Sequence, residues 1–229
     1  TYGTYVFRWT DVNGTCSDFD EITVNFYENP TASNAGTDID QCNNSTFTMA
    51  ANAPTVGTGT WTVIAGTATI TNTTSPTTTV TGVTAGNSAT LRWTISNGNC
   101  TPSTSDVIIT NDVQPTADAG TGGDICGKDG ANPFTFSATA ATGTGTWTMT
   151  SGPGTPSFVD ANVETTDVTV DTYGTYVFRW TDVNGTCSDF DEITVNFYEN
   201  PTVAAAGGDI DQCNNSTFTM AANAPTVGT

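Results

Sequence analysis

The chain repeats its own sequence over a long period, and this repeat limits the folds that are open to it. Residues 1–31 recur unchanged at 172–202, which is 171 positions later, and residues 38–58 recur at 209–229. Between these blocks the two copies differ at four positions, where Val203, Ala204, Ala205 and Gly208 replace Ala32, Ser33, Asn34 and Thr37. Self-similarity at a fixed long period is typical of tandem arrays of one structural unit.

A weaker repeat divides this period into two related halves. Pro30, Pro115 and Pro201 begin corresponding segments, at spacings of 85 and 86 residues. Trp61 and Trp147 each follow the letters GTGT and lie 86 residues apart. The pattern therefore predicts tandem modules of about 85 residues each.

The same alignment sets the module boundaries. Residues 30–114 form a complete module X and residues 115–200 a complete module Y in this interpretation. Residues 1–29 are then the C-terminal fragment of a Y module, and residues 201–229 are the N-terminal fragment of an X module. We expect the chain to be a window onto a longer tandem array.

Short segments rich in threonine and other β-branched residues alternate with clusters of Gly, Asn, Pro and Ser, which predicts strands and no helices. In residues 89–96, Leu91, Trp93 and Ile95 share one face of a strand. Asn-Gly turns, such as the one at 96–99, join the last two strands of each module. Candidate strands of module X are 45–52, 59–65, 67–73, 77–83, 89–96 and 105–111. The sequence predicts an all-β fold of tandem Ig-like or PKD-like β-sandwich modules.

Two cysteines recur at corresponding places in each complete module. Module X has Cys42 and Cys100, and module Y has Cys126 and Cys187. The first of each pair precedes the first core strand, and the second directly follows the Asn-Gly turn. We predict the disulfides Cys42–Cys100 and Cys126–Cys187, which would place the protein in an oxidising compartment outside the cytoplasm. A metal-thiolate site is the alternative, but no C-x-x-C spacing occurs.

The charge balance argues against several classes of function. The chain has 4 Lys+Arg, 23 Asp+Glu and no histidine, which gives a net charge of −19. Four cations neutralise little of a phosphate backbone, so we expect no nucleic-acid partner. Without histidine, neither a Ser-His-Asp triad nor a His-ligated metal site can form, and we expect no enzyme. The sequence contains no apolar run long enough to span a membrane.

Carboxylates on both sides of a module boundary are candidate calcium ligands. Asp20 and Glu21 lie near the end of one module, and Asp38 and Asp40 open the next. Carboxylate oxygens from two modules could bind Ca²⁺ and stiffen the linker. The alternative is an acidic surface that keeps a long polymer soluble.

The arginines of the predicted sheets have a simpler interpretation than binding. Arg92 and Arg179 each precede a tryptophan on the same strand, and successive residues face opposite sides of a sheet. We therefore expect them to pair with carboxylates of the next strand, such as Asp106 or Glu192.

Trp61 and Trp147 admit two interpretations. Both follow a GTGT turn, so an exposed platform for stacking against sugars is conceivable. The simpler prediction is that both indoles belong to the sandwich cores.

Three motifs of module X together resemble a known repeat type. They are AG-x-D-x-x-x-C from Ala35 to Cys42, GTGTW-T from Gly57 to Thr62, and RWT-x-SNG-x-C from Arg92 to Cys100. This combination resembles the Ig/PKD-like modules of giant surface adhesins of gliding Bacteroidota-type bacteria, which are secreted by the type IX route. Module Y departs from the pattern in AGTGGDIC at 119–126, where Gly122 replaces Asp38, and in GKDGANP at 127–133.

The resemblance implies a secreted protein of the cell surface or of an extracellular filament. The expected role is structural, namely to extend and mechanically stabilise a chain whose partners are neighbouring modules of the same chain. Two alternatives stay open. An array of carbohydrate-binding modules would bind surface polysaccharide, and a laterally self-assembling sheath would bind other copies of the filament.

Overall fold

The computed structural model describes residues 1–128 and 130–228, and it confirms the predicted all-β fold. Asp129, which belongs to the GKDGANP segment, and Thr229 lie outside the described residues. Among the described residues, no helix is long and apolar enough to cross a membrane. The chain divides into two compact units, and each is described separately. Unit 1 comprises Thr1–Gln114 with Gly185–Cys187, and unit 2 comprises Pro115–Asn184 with Ser188–Thr229.

Unit 1 contains a β-hairpin followed by a β-sandwich. Its strands are β1 Gly3–Asn13, β2 Cys16–Phe26, β3 Ile39–Cys42, β4 Phe47–Thr48, β5 Thr58–Ala65, β6 Thr69–Ile70, β7 Thr79–Thr81, β8 Asn87–Ser96 and β9 Ser103–Asp112. Strands β1 and β2 form the hairpin, and the sandwich consists of a four-stranded sheet β3-β9-β8-β5 and a three-stranded sheet β4-β7-β6. All strand pairs are antiparallel except β3 and β9, which are parallel.

Unit 2 repeats the sandwich. Its strands are β10 Gly123–Cys126, β11 Phe134–Thr135, β12 Thr144–Ser151, β13 Pro156–Phe158, β14 Asp167–Val170, β15 Gly174–Asn184 and β16 Cys187–Tyr198. The two sheets are β10-β16-β15-β12 and β11-β14-β13. Strand β10 pairs with β16 in parallel, as β3 does with β9.

Each sandwich has its own core, built from the inward faces predicted by alternation. In β8, Leu91, Trp93 and Ile95 are fully buried, and in β15 the same is true of Tyr176 and Phe178. The longer predicted strands correspond closely to β5, β8 and β9, whereas the region predicted as 45–52 is a strand only over Phe47–Thr48. The short parallel strand β3 was not predicted, and it determines where Cys42 lies.

Each sandwich has a pair of tryptophans at the centre of its core. Trp61 and Trp93 are cross-strand partners whose rings lie 5.1 Å apart, and the equivalent rings of Trp147 and Trp180 lie 5.3 Å apart. Gly59 packs directly against the Trp93 ring, so that a Cβ atom at this position would overlap the indole. Because protein interiors are close-packed, position 59 has to be glycine for the Trp93 ring to fit.

We predict that Gly59→Ala destabilises unit 1, because the added methyl group has to displace the fully buried Trp93. Overpacking of this kind costs about 1–3 kcal/mol. Urea denaturation followed by tryptophan fluorescence measures the free energy of unfolding. Gly208→Ala is the matched control, since a Cβ there meets nothing within 4 Å. Equal stability of the two variants would contradict this packing.

The hairpin of β1 and β2 has the same sequence as the β15–β16 hairpin but a different environment. Trp9 is 78% exposed, whereas its repeat copy Trp180 is 1% exposed. The difference arises because the β15–β16 hairpin faces the β11-β14-β13 sheet within its sandwich, and no described sheet covers the first hairpin.

Candidate functional site

The structure corrects the predicted disulfides. Cys42 is bonded to Cys187, across a sequence separation of 145 residues and with the two Cα atoms 4.9 Å apart. Cys100 and Cys126 are free thiols. Both predicted pairs, Cys42–Cys100 and Cys126–Cys187, are therefore wrong.

The parallel strand β3 explains why Cys42 cannot reach Cys100. Cys42 pairs in register with Asp112, the last residue of β9. Cys100 lies just before the first residue of β9, in the turn that follows β8. Since β9 has 10 residues, the two cysteines lie at opposite ends of the sheet, about 30 Å apart.

The same geometry separates the second predicted pair. Cys126 pairs in register with Tyr198, the last residue of β16, whereas Cys187 is the first residue of that strand. Twelve residues of β16 place the two sulfur atoms about 35 Å apart. The repeat correctly identifies equivalent positions for the cysteines, but it carries no information about which of them are neighbours.

The Cys42–Cys187 disulfide lies beside a carboxylate that binds the turn Gly185–Cys187, and all of these residues belong to unit 1. The backbone N–H of Thr186 donates to Asp112 Oδ2 over 2.7 Å, and the Thr186 hydroxyl donates to the same oxygen over 2.9 Å. Gly185 packs so closely on the carboxylate that a Cβ atom would overlap it. We call this arrangement of Asp112, Gly185, Thr186 and the disulfide the Asp112 clasp.

Hydrogen bonds at the end of the β3–β9 pair hold the Asp112 clasp in place. The backbone N–H of Asn43 donates to Asp112 O over 2.9 Å, and that of Asn44 donates to Asn111 Oδ1 over 2.9 Å. Asn111 is buried and donates through Nδ2 to Val83 O over 2.8 Å. These bonds fix the end of β9 and the segment that follows β3, because buried polar groups tolerate few alternative partners.

A second contact of the same kind lies at the other end of the sandwich in unit 1. Gly98 packs on the ring of Tyr27, which a Cβ atom would overlap, and Asn97 Nδ2 donates to Glu28 O over 2.8 Å. The Cys100 thiol lies 3.3 Å from Glu28 O and 3.7 Å from Tyr27 O. We call this arrangement the Tyr27 seat.

The two contacts are equivalent in the repeat. Tyr27 precedes Pro30 by the same number of residues as Asp112 precedes Pro115. Cys100 lies against the Tyr27 carbonyl as Cys187 Sγ lies against that of Asp112, at 3.6 Å. The two turns thus contact corresponding positions, with an aromatic ring in one case and a carboxylate in the other.

The arginines pair as the sequence predicts. Arg92 donates through Nε to Asp106 Oδ1 over 2.7 Å and through Nη2 to Oδ2 over 2.8 Å, and Arg179 donates to Glu192 Oε1. The hydrogen bond from Arg92, together with its positive charge, lowers the pKa of the Asp106 carboxyl. These pairs lie on the sheet surface, so each contributes little to stability.

Burial of the tryptophans contradicts the sugar-stacking alternative. Trp61 and Trp147 are each 1% exposed, and their indole N–H groups donate to the carbonyls of Ser75 and Glu164. The prediction that these indoles belong to the cores is confirmed, and they offer no aromatic platform.

Three of the four candidate calcium ligands have other partners. Asp38 Oδ1 accepts the backbone N–H of Ile108 over 2.8 Å, Asp20 Oδ1 accepts that of Glu21, and Glu21 pairs with Arg8. Over residues 1–128 and 130–228, no group of three or more Asp, Glu, Cys or His side chains is arranged to hold a metal ion. Asp38 and Asp40 are therefore not brought together with Asp20 and Glu21 as a cation site.

Comparison with known proteins supports the fold. No protein-family model and no curated protein sequence matches the chain. Immunoglobulin domains 1–5 of Sidekick-1 match with a TM-score of 0.56 and 11% identity, over 87% of this chain and 47% of that one. Extracellular domains 3–5 of Drosophila OTK match with a TM-score of 0.50 and 11% identity, over 86% and 71%. The chain thus spans less than half of the Sidekick-1 structure, and it consists of tandem Ig-like β-sandwiches.

We predict that peptide mapping of the oxidised chain under non-reducing conditions finds one disulfide, Cys42–Cys187. Alkylation before reduction should label the four other cysteines, Cys16, Cys100, Cys126 and Cys213. Recovery of Cys42 linked to Cys100 would contradict the structure.

We further predict that Asp112→Ala weakens the disulfide, because the variant loses both hydrogen bonds from Thr186 to a charged acceptor. Such bonds contribute about 1.5–3 kcal/mol, so the equilibrium constant for closing the Cys42–Cys187 bond should fall about 10- to 100-fold. Equilibration with reduced and oxidised glutathione measures this constant.

Asp106→Ala is the matched control for this variant. It removes a carboxylate from the same strand, but the lost partner is Arg92, far from the clasp. We expect no more than a twofold change in the glutathione equilibrium. Equal effects of the two substitutions would show that Asp112 does not hold the turn.

Proposed function

We propose that the chain is a structural segment of an extracellular repeat fibre or giant surface adhesin, of the kind found in gliding Bacteroidota. The observation that carries the proposal is the Cys42–Cys187 disulfide within a 171-residue repeat of Ig-like sandwiches. Disulfides persist in oxidising environments, which supports a location outside the cytoplasm. The net charge of −19 supports solubility of a long array.

The disulfide is placed to carry tension. Residues 43–186 lie between the two bonded cysteines and include twelve strands, β4 to β15. When the chain is pulled from its termini, the load passes from Cys42 through the sulfur atoms to Cys187. The enclosed residues cannot be extended until the bond is reduced, so both sandwich cores are largely protected from unravelling.

The disulfide also stabilises the folded chain without load. Closing a loop of 145 residues removes conformational entropy from the unfolded chain that corresponds to about 5 kcal/mol in the chain-entropy model. An acidic chain gains from this link, because self-repulsion favours its expanded state.

Force spectroscopy of single chains tests the mechanical role. We predict that the fully extended length of the oxidised chain is about 500 Å shorter than that of the reduced chain, since 145 residues at about 3.5 Å each remain enclosed. Equal lengths with and without reductant would overturn the proposed function.

Two serine variants provide the controls. Cys42→Ser should extend to the full length without reductant, because the enclosing bond cannot form. Cys100→Ser should behave as the unsubstituted chain, since Cys100 is a free thiol. An increase in length for Cys100→Ser would indicate that bonds other than Cys42–Cys187 carry the load.

A further inference from the structure

We propose that Tyr198 and Cys126 form a docking surface for the Asn-Gly turn of a following repeat, and that Cys126 forms a disulfide with the copy of Cys100 in that repeat. The inference rests on the proposed function, in which the chain is part of a longer array. Every cysteine would then link one module to the next, giving a continuous series of disulfides along the fibre.

The surface around Tyr198 has the same backbone arrangement as the Asp112 clasp. Cys126 pairs in register with Tyr198, as Cys42 pairs with Asp112. Gly127 N–H donates to Tyr198 O over 2.9 Å, which is the bond that Asn43 makes to Asp112 O. Tyr198 is 53% exposed, and the Cys126 thiol is also exposed. The cysteine and its neighbouring side chain are therefore accessible together, at the end of a parallel strand pair.

The chain itself shows what binds such a tyrosine. Tyr27 is the repeat copy of Tyr198, with identical residues on both sides. In unit 1 the ring of Tyr27 is covered by Gly98, and the neighbouring Cys100 thiol lies against the carbonyls of Tyr27 and Glu28. The occupant of the Tyr198 surface is accordingly the same turn, Asn-Gly-Asn-Cys, one repeat later.

The spacing of the cysteines agrees with this pairing. The next copy of Cys100 lies 171 residues after the first, which is 145 residues after Cys126. The observed Cys42–Cys187 bond has the same separation of 145 residues. The two bonds therefore join equivalent positions of the repeat, shifted by about one module. The turns of the two bonds differ in sequence, and a tyrosine stands beside only the second bond.

The two kinds of contact are chemically distinct. Asp112 accepts hydrogen bonds from the backbone N–H and the hydroxyl of Thr186. At the other contact, Gly98 packs on the ring of Tyr27, and Asn97 donates to the Glu28 carbonyl. A turn with asparagine after the glycine lacks the hydroxyl that Asp112 binds. This difference favours contacts between an X module and a Y module over contacts between two modules of the same kind.

The bond forms by thiol–disulfide exchange with a low-molecular-weight disulfide. The Cys126 thiolate attacks one sulfur of the oxidant, forms a mixed disulfide and releases one thiol. The thiolate of the Cys100 copy then attacks the Cys126 sulfur and releases the second thiol. Two protein thiols lose two electrons and two protons in total, and the oxidant gains them as two thiols.

The test uses the chain of 229 residues extended by a second copy of residues 59–200, which continues the repeat in register after Thr229. The extended chain is equilibrated with oxidised and reduced glutathione and mapped under non-reducing conditions. We expect Cys126 linked to the added copy of Cys100 and Cys213 linked to the added copy of Cys187, besides Cys42–Cys187. Cys126 recovered as a free thiol, with Cys42–Cys187 intact, would overturn this inference and leave the proposed function standing. Loss of both bonds would overturn both.

Substitution of the two tyrosines tests the docking surface separately from the sulfur chemistry. Tyr198→Ala in the extended chain should lower the equilibrium constant of the Cys126 bond about tenfold, the effect of losing one aromatic contact. Tyr27→Ala is the matched control, because it removes the same side chain from the other copy, and it should leave the Cys126 bond unchanged. Equal effects of the two variants would contradict a role for Tyr198 in docking.

Discussion

The parallel pairing of β3 with β9 is the constraint on which the rest of the structure depends. It brings Cys42 to the end of β9 beside Asp112, where the Gly185–Cys187 turn is bound. An antiparallel neighbour would carry Cys42 toward the opposite end of the sheet, where Cys100 lies. One short strand of four residues thus determines whether the cysteines close loops inside modules or link positions 145 residues apart.

The sequence predicts the repeat, the alternating core strands, the buried tryptophans and the Arg92–Asp106 pair, because each depends on local periodicity or on adjacent strands. The disulfide partners could not be predicted in this way. Equivalent positions in two modules show where cysteines recur, but distance within the sheet depends on strand direction. The segment IDQC at 39–42 is too short and too polar to reveal a parallel strand. Asp112 likewise binds the turn because the register of β3 and β9 places it opposite Cys42, and no spacing pattern in the sequence indicates that register.

Identical sequences in this chain occupy different environments, which shows how much the surrounding residues contribute to the burial of a side chain. Trp9 and Trp180 differ in exposure although the strands around them are the same. The turns at 13–16 and 184–187 are also identical, yet only the second is bound by a carboxylate in the part of the chain that the structure describes. Local sequence forms the hairpin and its Asn-Gly turn, and the bonds to Asp112 decide whether that turn is held.

This internal duplication allows a direct test of the Asp112 clasp. Thr15 and Thr186 have the same neighbours in sequence, so their amide protons have the same intrinsic rate of exchange with solvent. Hydrogen exchange measured by NMR on the oxidised chain compares the two. The bond from Thr186 N–H to Asp112 predicts exchange about 10- to 100-fold slower at Thr186 than at Thr15. Equal rates at the two amides would contradict the Asp112 clasp and the proposal built on it.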